Sequence, residues 1–238
     1  MKKVISVIKS FSKKEICLWS SSVCMIIVSF CIFDRESWLV LAASIIGATS
    51  LIFNSKGNPL GQLLMIIFSI CYGIISYGYS YYGEMITYLG MTAPMSLMAL
   101  VSWMKNPYKG NDSDAAEVEV NKIEKREFVF LSAVTVPVTV IFYYILGIFG
   151  TANLIPSTIS VTTSFMAAYL TFRRSIYFAL FYAANDIVLI ILWIMAAIYD
   201  ISYVSVVIYF AAFLVNDLYC FVNWRKISER QSEMSESV

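Results

Sequence analysis

Apolar residues run through this chain in long unbroken blocks. Eight mainly apolar stretches recur, at about 17–33, 38–53, 58–77, 82–103, 127–149, 155–171, 175–197 and 202–224. At about 1.5 Å per helical residue, each approaches the ~30 Å of a hydrocarbon slab. The blocks lack the period-two alternation of a barrel strand. The pattern predicts an all-α polytopic membrane protein of about eight transmembrane helices.

The polar positions between the blocks set the expected orientation. With eight spans both termini fall on one side. That side collects all the Lys and Arg residues, 17 in number, except Arg35. Such a bias predicts cytoplasmic termini. Residues 1–37 read as an N-terminal segment with a first helix that stays in the mature chain, because no small-residue cleavage site follows Phe33. Residues 104–126 read as a mobile, charged cytoplasmic loop, and 225–238 as a polar cytoplasmic tail.

The loop separates two similar halves. Offset by 121 positions, Tyr72 falls on Trp193, Tyr88 on Tyr209, Trp103 on Trp224 and Lys105 on Lys226; offset by 119, Ala48, Leu51 and Phe53 fall on Ala167, Leu170 and Phe172. Three helices (38–103) are expected to repeat as three helices (155–224). The single span 127–149 between them makes the repeats parallel. That is a transporter architecture, with its site between the repeats near the midplane.

Polar groups inside the blocks are the candidate chemistry. A carboxylate in hydrocarbon costs roughly 2.5–3.5 kcal/mol on insertion scales, so it faces a bundle interior or a wet cavity. Asn185-Asp186 and Asn216-Asp217 lie in adjacent spans. Tyr182, Asp186 and Trp193 share one stripe with Asn185 beside it: faces for a planar ligand and acceptors for its hydroxyls. Tyr209, Asn216 and Tyr219 add candidates on the last span, and Gln62, Ser69 and Tyr72 on the third. Asp217 lies nearer the cytoplasmic end, within reach of Arg225, and Glu84 opens a helix at the outer interface. Both are candidate gating groups, and an interfacial carboxylate at the helix N-terminus is the favoured reading of Glu84. Tyr79, Tyr81, Tyr82, Trp103, Tyr203 and Trp224 read mostly as interfacial aromatic anchors.

Composition narrows the function. The chain is 59% hydrophobic and 14% charged, with mean hydropathy +0.73 and net charge +1. No basic, aromatic-interleaved segment supports nucleic-acid binding. There is no histidine, and the five cysteines lie in apolar runs, where small buried hydrophobes are expected rather than metal ligands or disulfides. No metal, no cofactor and no enzymatic activity are expected. No phosphate-binding GxxxxGK[ST] occurs, so ATP does not drive transport.

Tyr82-Gly83-Glu84-Met85, Trp103-Met104-Lys105, Tyr182-Ala183-Ala184-Asn185-Asp186 and Asn216-Asp217-Leu218-Tyr219 through Asn223-Trp224-Arg225-Lys226 resemble PnuC-type vitamin transporters. The resemblance runs from Trp38 to Lys226. It implies a SWEET-like fold of two three-helix bundles joined by a linker helix, in a homotrimer in the bacterial inner membrane. It also implies facilitated diffusion of nicotinamide riboside, trapped by phosphorylation in the cytoplasm. Riboside carriers of this kind often have an Asn-Trp before the aromatic of the penultimate helix; this chain has Ser175-Ile176-Tyr177-Phe178-Ala179 there. Thiamine, riboflavin and deoxynucleosides therefore stand as alternative substrates, and a membrane sensor or receptor as an alternative class.

Overall fold

The computed structural model describes residues 11–79, 81–108 and 117–236. Lys2, Lys3 and Lys9 and the middle of the 104–126 loop lie outside these. The described residues are helical: α1 Lys13–Phe33, α2 Trp38–Ser55, α3 Leu60–Gly78, α4 Tyr82–Lys105, α5 Lys125–Ile148, α6 Leu154–Phe172, α7 Phe178–Ala197 and α8 Val204–Glu236. Among the described residues, seven candidate spans are long and apolar enough to cross a membrane. The helix outside that set is α6, whose Ser157, Thr158, Ser160, Thr162, Thr163, Ser164 and Thr171 lower its hydropathy. It still runs the full height of the bundle. Ser157 lies beside Gly83 near one end, and Thr171 is bonded to Trp103 at the other.

Local sequence explains the helix ends. Ser12 and Glu15 form a capping box that starts α1. Glu15 also pairs with Lys56 at 3.5 Å, tying α1 to the α2–α3 turn. Gly57 takes φ +63 in that turn, and Gly61 lets α2 and α3 approach. A Cβ on Gly61 would sit 2.7 Å from the Asn54 backbone nitrogen. In α4, residues Thr87–Thr92 widen into a π-turn just before Pro94. Pro94 has no N–H to donate and its ring crowds the carbonyl one turn back, which favours a break in the regular ladder there.

The turns gather at two ends. Asp34, Arg35, Tyr79, Asp200 and Tyr203 line one surface hollow, so the α1–α2, α3–α4 and α7–α8 turns share what we term the far end. Asp200 caps a short 3-10 turn there, and the Ser202 N–H it accepts holds its carboxyl below the usual range. The other, basic end holds Lys56, Arg173, Arg174 and Arg225.

The two halves meet at the basic end through reciprocal contacts of equivalent residues. Trp103 in α4 donates to the Thr171 carbonyl at the end of α6 (2.9 Å). Trp224 in α8 donates to the Asn54 carbonyl at the end of α2 (2.8 Å). One residue earlier, Ser102 donates to Phe172 O and Asn223 to Ser55 O. Gly57 and Arg174 occupy equivalent left-handed positions (φ +63 and +57) in the two turns. Their carbonyls accept the Val118 and Asn121 N–H groups, each at 3.0 Å. The Trp103 and Trp224 rings lie 5.3 Å apart. Equivalent residues that touch lie on the axis relating them, so the two bundles are parallel repeats about an axis at this point. In the first helix pair the register differs from the expected one. The turn bonds align Asn54 with Thr171, an offset of 117 rather than 119.

Two outer parts of the chain also differ from expectation. The tail is helical through Glu236. Its Gln231 accepts the Val120 N–H and donates to the Val118 carbonyl, and its Arg230 pairs with Glu117. The described flanks of the 104–126 loop are therefore pinned: Tyr108 donates to Glu117, and Glu119 to Asn106. Polar residues end the membrane span there, but they also solvate a helix well, so α8 continues past it. The cysteines are not uniformly buried. Cys17, Cys24 and Cys31 lie on the exposed face of α1, and Cys220 alone among the described cysteines is fully buried.

Candidate functional site

Between the bundles lies a small cavity whose largely apolar lining carries a few polar groups. Asp186 on α7 and Asp217 on α8 are both on its wall, with Tyr182 and Asn185. These two helices run in opposite directions. Asp186 lies about 12 Å from the basic end of α7 and Asp217 about 20 Å from the far end of α8, which brings them to similar depth. Their carboxyls are within hydrogen-bonding reach of one another. Both side chains are buried, and Asp186 Oδ2 and Asp217 Oδ1 have no hydrogen-bond partner. Asp217 thus does not reach Arg225, which pairs weakly with Glu229 at 3.9 Å.

Aromatic rings make up much of the rest of the lining. Phe68, Tyr88, Phe210 and Phe213 stand there with Gly47 and Ser164, and Phe210 and Phe213 share α8 with Asp217. Phe68 packs edge-on against Tyr88 at 5.8 Å and Phe213 at 5.6 Å. The cavity holds about 20 Å³, room for about one water.

Asn185 is held from the side. Its Oδ1 accepts the Ser160 hydroxyl at 3.1 Å and the Thr163 hydroxyl at 2.9 Å. Ser160 also lies 3.4 Å from Glu84 Oε2. Glu84 is completely buried, and its Oε1 has no partner. It is not the interfacial carboxylate the sequence favours. The α4 backbone turns it inward, beside the π-turn whose Tyr88 and Thr92 reach the cavity. A continuous polar chain from Glu84 through Ser160 to Asn185 and Thr163 therefore joins α4, α6 and α7.

The remaining candidates divide by place. Trp193 lies nearer the far end, where its Nε1 donates to the Tyr72 hydroxyl at 2.8 Å. Tyr79, Tyr81 and Tyr203 surround its ring with centroids at 5.7, 5.0 and 5.6 Å, so an aromatic cluster closes the bundle between the cavity and the far end. Trp103, Trp224 and Phe178 form the matching cluster at the basic end. Of the expected interfacial anchors, Trp103, Trp224 and Tyr81 are buried in these two clusters instead. An indole or phenol near a helix end can satisfy its polar atom on a neighbouring helix as well as at a headgroup.

Gln62 donates to Asn54 Oδ1 at 2.9 Å and Ser69 to its own helix at Met65 O. Neither lines the cavity. Asn216 donates to Ser22 on α1 and to Ala212 O. Tyr209 lines a separate apolar hollow with Tyr72, and Tyr219 is half-buried beside Ser12 and Glu15. The face of α8 carrying Tyr209, Asn216 and Asn223 thus looks toward α1 and α2. The cavity face carries Phe210, Phe213 and Asp217, at spacings of three and four. That stripe was readable once Asp217, rather than Asn216, was taken as its centre.

A family described as nicotinamide mononucleotide transporter matches residues 37–226, most of the chain. The chain belongs to the nicotinamide mononucleotide transporter family. It is a multi-pass membrane transporter. It is 26% identical to the nicotinamide riboside transporter PnuC of Neisseria mucosa, over 84% of this chain and 77% of that protein. To the nicotinamide riboside transporter PnuC of Haemophilus influenzae it is also 26% identical, over 82% of each. A crystal structure of the vitamin B3 transporter PnuC has the same fold, with a TM-score of 0.82 at 23% identity, over 93% of this chain and 94% of that one. The cavity between the bundles, with two buried carboxyls on its wall, is the candidate substrate site.

Proposed function

We propose that the protein carries nicotinamide riboside by uniport, down its gradient, through the cavity walled by Asp186 and Asp217. The supporting observation is the wall itself: two carboxyls, an amide and five aromatic rings, with no Lys or Arg. Rings stack on a heterocycle, and Asn185, Tyr182 and the carboxyls serve a sugar. A mononucleotide would bring its phosphate against two carboxyls with no cation to offset it, so the riboside fits this wall better than the mononucleotide of the family's description. The substrate is held between the bundles and released into the cytoplasm, where phosphorylation traps it.

Ligand pockets occupy about 300–1,000 Å³, far more than this cavity. Entry therefore requires the bundles to part, and the bundle is closed at both ends as it stands. Uptake of labelled riboside into vesicles is the test. The riboside is expected to accumulate to equilibrium without ATP, unaffected by excess mononucleotide. Transport of thiamine or a deoxynucleoside with no riboside uptake would replace the substrate and keep the fold.

The basic end faces the cytoplasm in this reading, because positively charged turns stay on that side. In intact cells a membrane-impermeant maleimide is expected to label a cysteine placed at Glu36 and not one placed at Lys105. The reverse pattern would invert the orientation.

A further inference from the structure

We propose that the Asp186–Asp217 pair selects a cationic heterocycle, and that the charge on the ring, not the sugar, is what the pair recognises. The inference rests on the cavity being the substrate site. Both carboxyls are buried at mid-bundle, and each turns an unpartnered oxygen inside it: Oδ2 of Asp186 and Oδ1 of Asp217. These two are within reach of each other and of no basic group. The four ion pairs among the described residues (Glu15–Lys56, Glu127–Arg173, Glu229–Arg225 and Glu117–Arg230) all lie at the basic end.

Two carboxyls this close are stable together only with a shared proton or a cation beside them. A ligand carrying its own positive charge meets that need when it sits beside them. The aromatic part of the lining is suited to the same ligand. Rings such as Phe68, Tyr88, Phe210 and Phe213 attract a flat cation that stacks on them. Tyr88 and Tyr182 are the other ionisable groups on the wall, and neither brings a positive charge. Pyridinium and thiazolium rings therefore belong to the class accepted. Neutral flavins and deoxynucleosides do not.

The test compares nicotinamide riboside with its neutral 1,4-dihydro form, which keeps the ribose and the amide but lacks the ring charge. In proteoliposomes the wild-type protein is expected to prefer the cation by at least about tenfold in uptake at equal concentration. Asp186→Asn and Asp217→Asn keep the shape and remove the charge, and each is expected to bring that ratio within about threefold. Equal uptake of both forms by the wild type would overturn the proposal while leaving the riboside reading intact. A preference unchanged in both folded variants would also overturn it. Should neither variant reach the membrane, the wild-type ratio decides. Thiamine and thymidine separate the two readings. Uptake of cationic thiamine without riboside uptake sinks the substrate assignment and supports charge selection, whereas uptake of neutral thymidine alone sinks both.

Discussion

Trp224→Ala is expected to lower the stability of the detergent-solubilised protein by about 3–5 kcal/mol. The indole is fully buried, packs on Trp103 at 5.3 Å and Phe178 at 4.8 Å, and donates to the Asn54 carbonyl. Alanine leaves a cavity where the two bundles meet and strips a helix-end carbonyl of its donor. Trp224→Phe keeps most of the ring volume but loses the bond, and the expected cost is about 1–3 kcal/mol. Trp103→Ala should resemble Trp224→Ala, because Trp103 makes the same bond to the opposite bundle at Thr171. The two rings touch, so the double variant should cost less or more than the sum of the single ones by about 0.5–3 kcal/mol. Thermal unfolding of the four proteins measures all of this. A midpoint unchanged in Trp224→Ala would mean that the contact carries no weight between the bundles.

Trp193→Ala is expected to open the far end without opening the basic end. At the basic end four side chains (Ser102, Trp103, Asn223 and Trp224) donate to backbone carbonyls of the opposite bundle. At the far end the Trp193–Tyr72 bond holds the aromatic cluster, with edge contacts to Tyr79 and Tyr81 and a tilted one to Tyr203 around it. Each net hydrogen bond contributes about 0.5–1.5 kcal/mol, so the far closure is the weaker of the two. In a cysteine-free background, Ser164→Cys places a thiol on the cavity wall. External maleimide should label it at least about ten times faster when Trp193 is alanine, the change expected for a shift of ~1.4 kcal/mol between closed and open forms. Trp224→Ala should leave that external rate unchanged. An unchanged rate in Trp193→Ala would place the barrier elsewhere.

The residues whose placement departs from the sequence expectation share a cause. Glu84 reads as interfacial because it opens a helix, and position along a helix says nothing about the direction it faces. The α4 backbone, widened at Thr87–Thr92 before Pro94, turns it against Ser160. Asn216 and Asp217 are neighbours in sequence, so they lie about 100° apart around α8. Only the packing of α8 against α1, α2 and α7 decides that Asn216 meets Ser22 while Asp217 meets the cavity. Trp103 and Trp224 look like interfacial anchors by depth, yet both indoles turn inward to helix-end carbonyls.

The sequence by itself determined the membrane class and the helix count, since long apolar blocks can be satisfied in lipid only by closing their backbone bonds within a helix. It also carried the repeat through the tryptophans at the two matching helix ends, and it singled out Asp186, because a mid-span carboxyl is too costly to face lipid. The tertiary structure alone decided which faces of those helices meet. It set the first-helix register at 117 rather than 119, turned Phe210 and Phe213 to the cavity, and brought Asp186 and Asp217 together from helices running in opposite directions. The physical reason is that hydrophobicity marks what enters the membrane, where nearly every residue is apolar. Inside it, side-chain shape and hydrogen bonding select partners, and those are properties of pairs of helices.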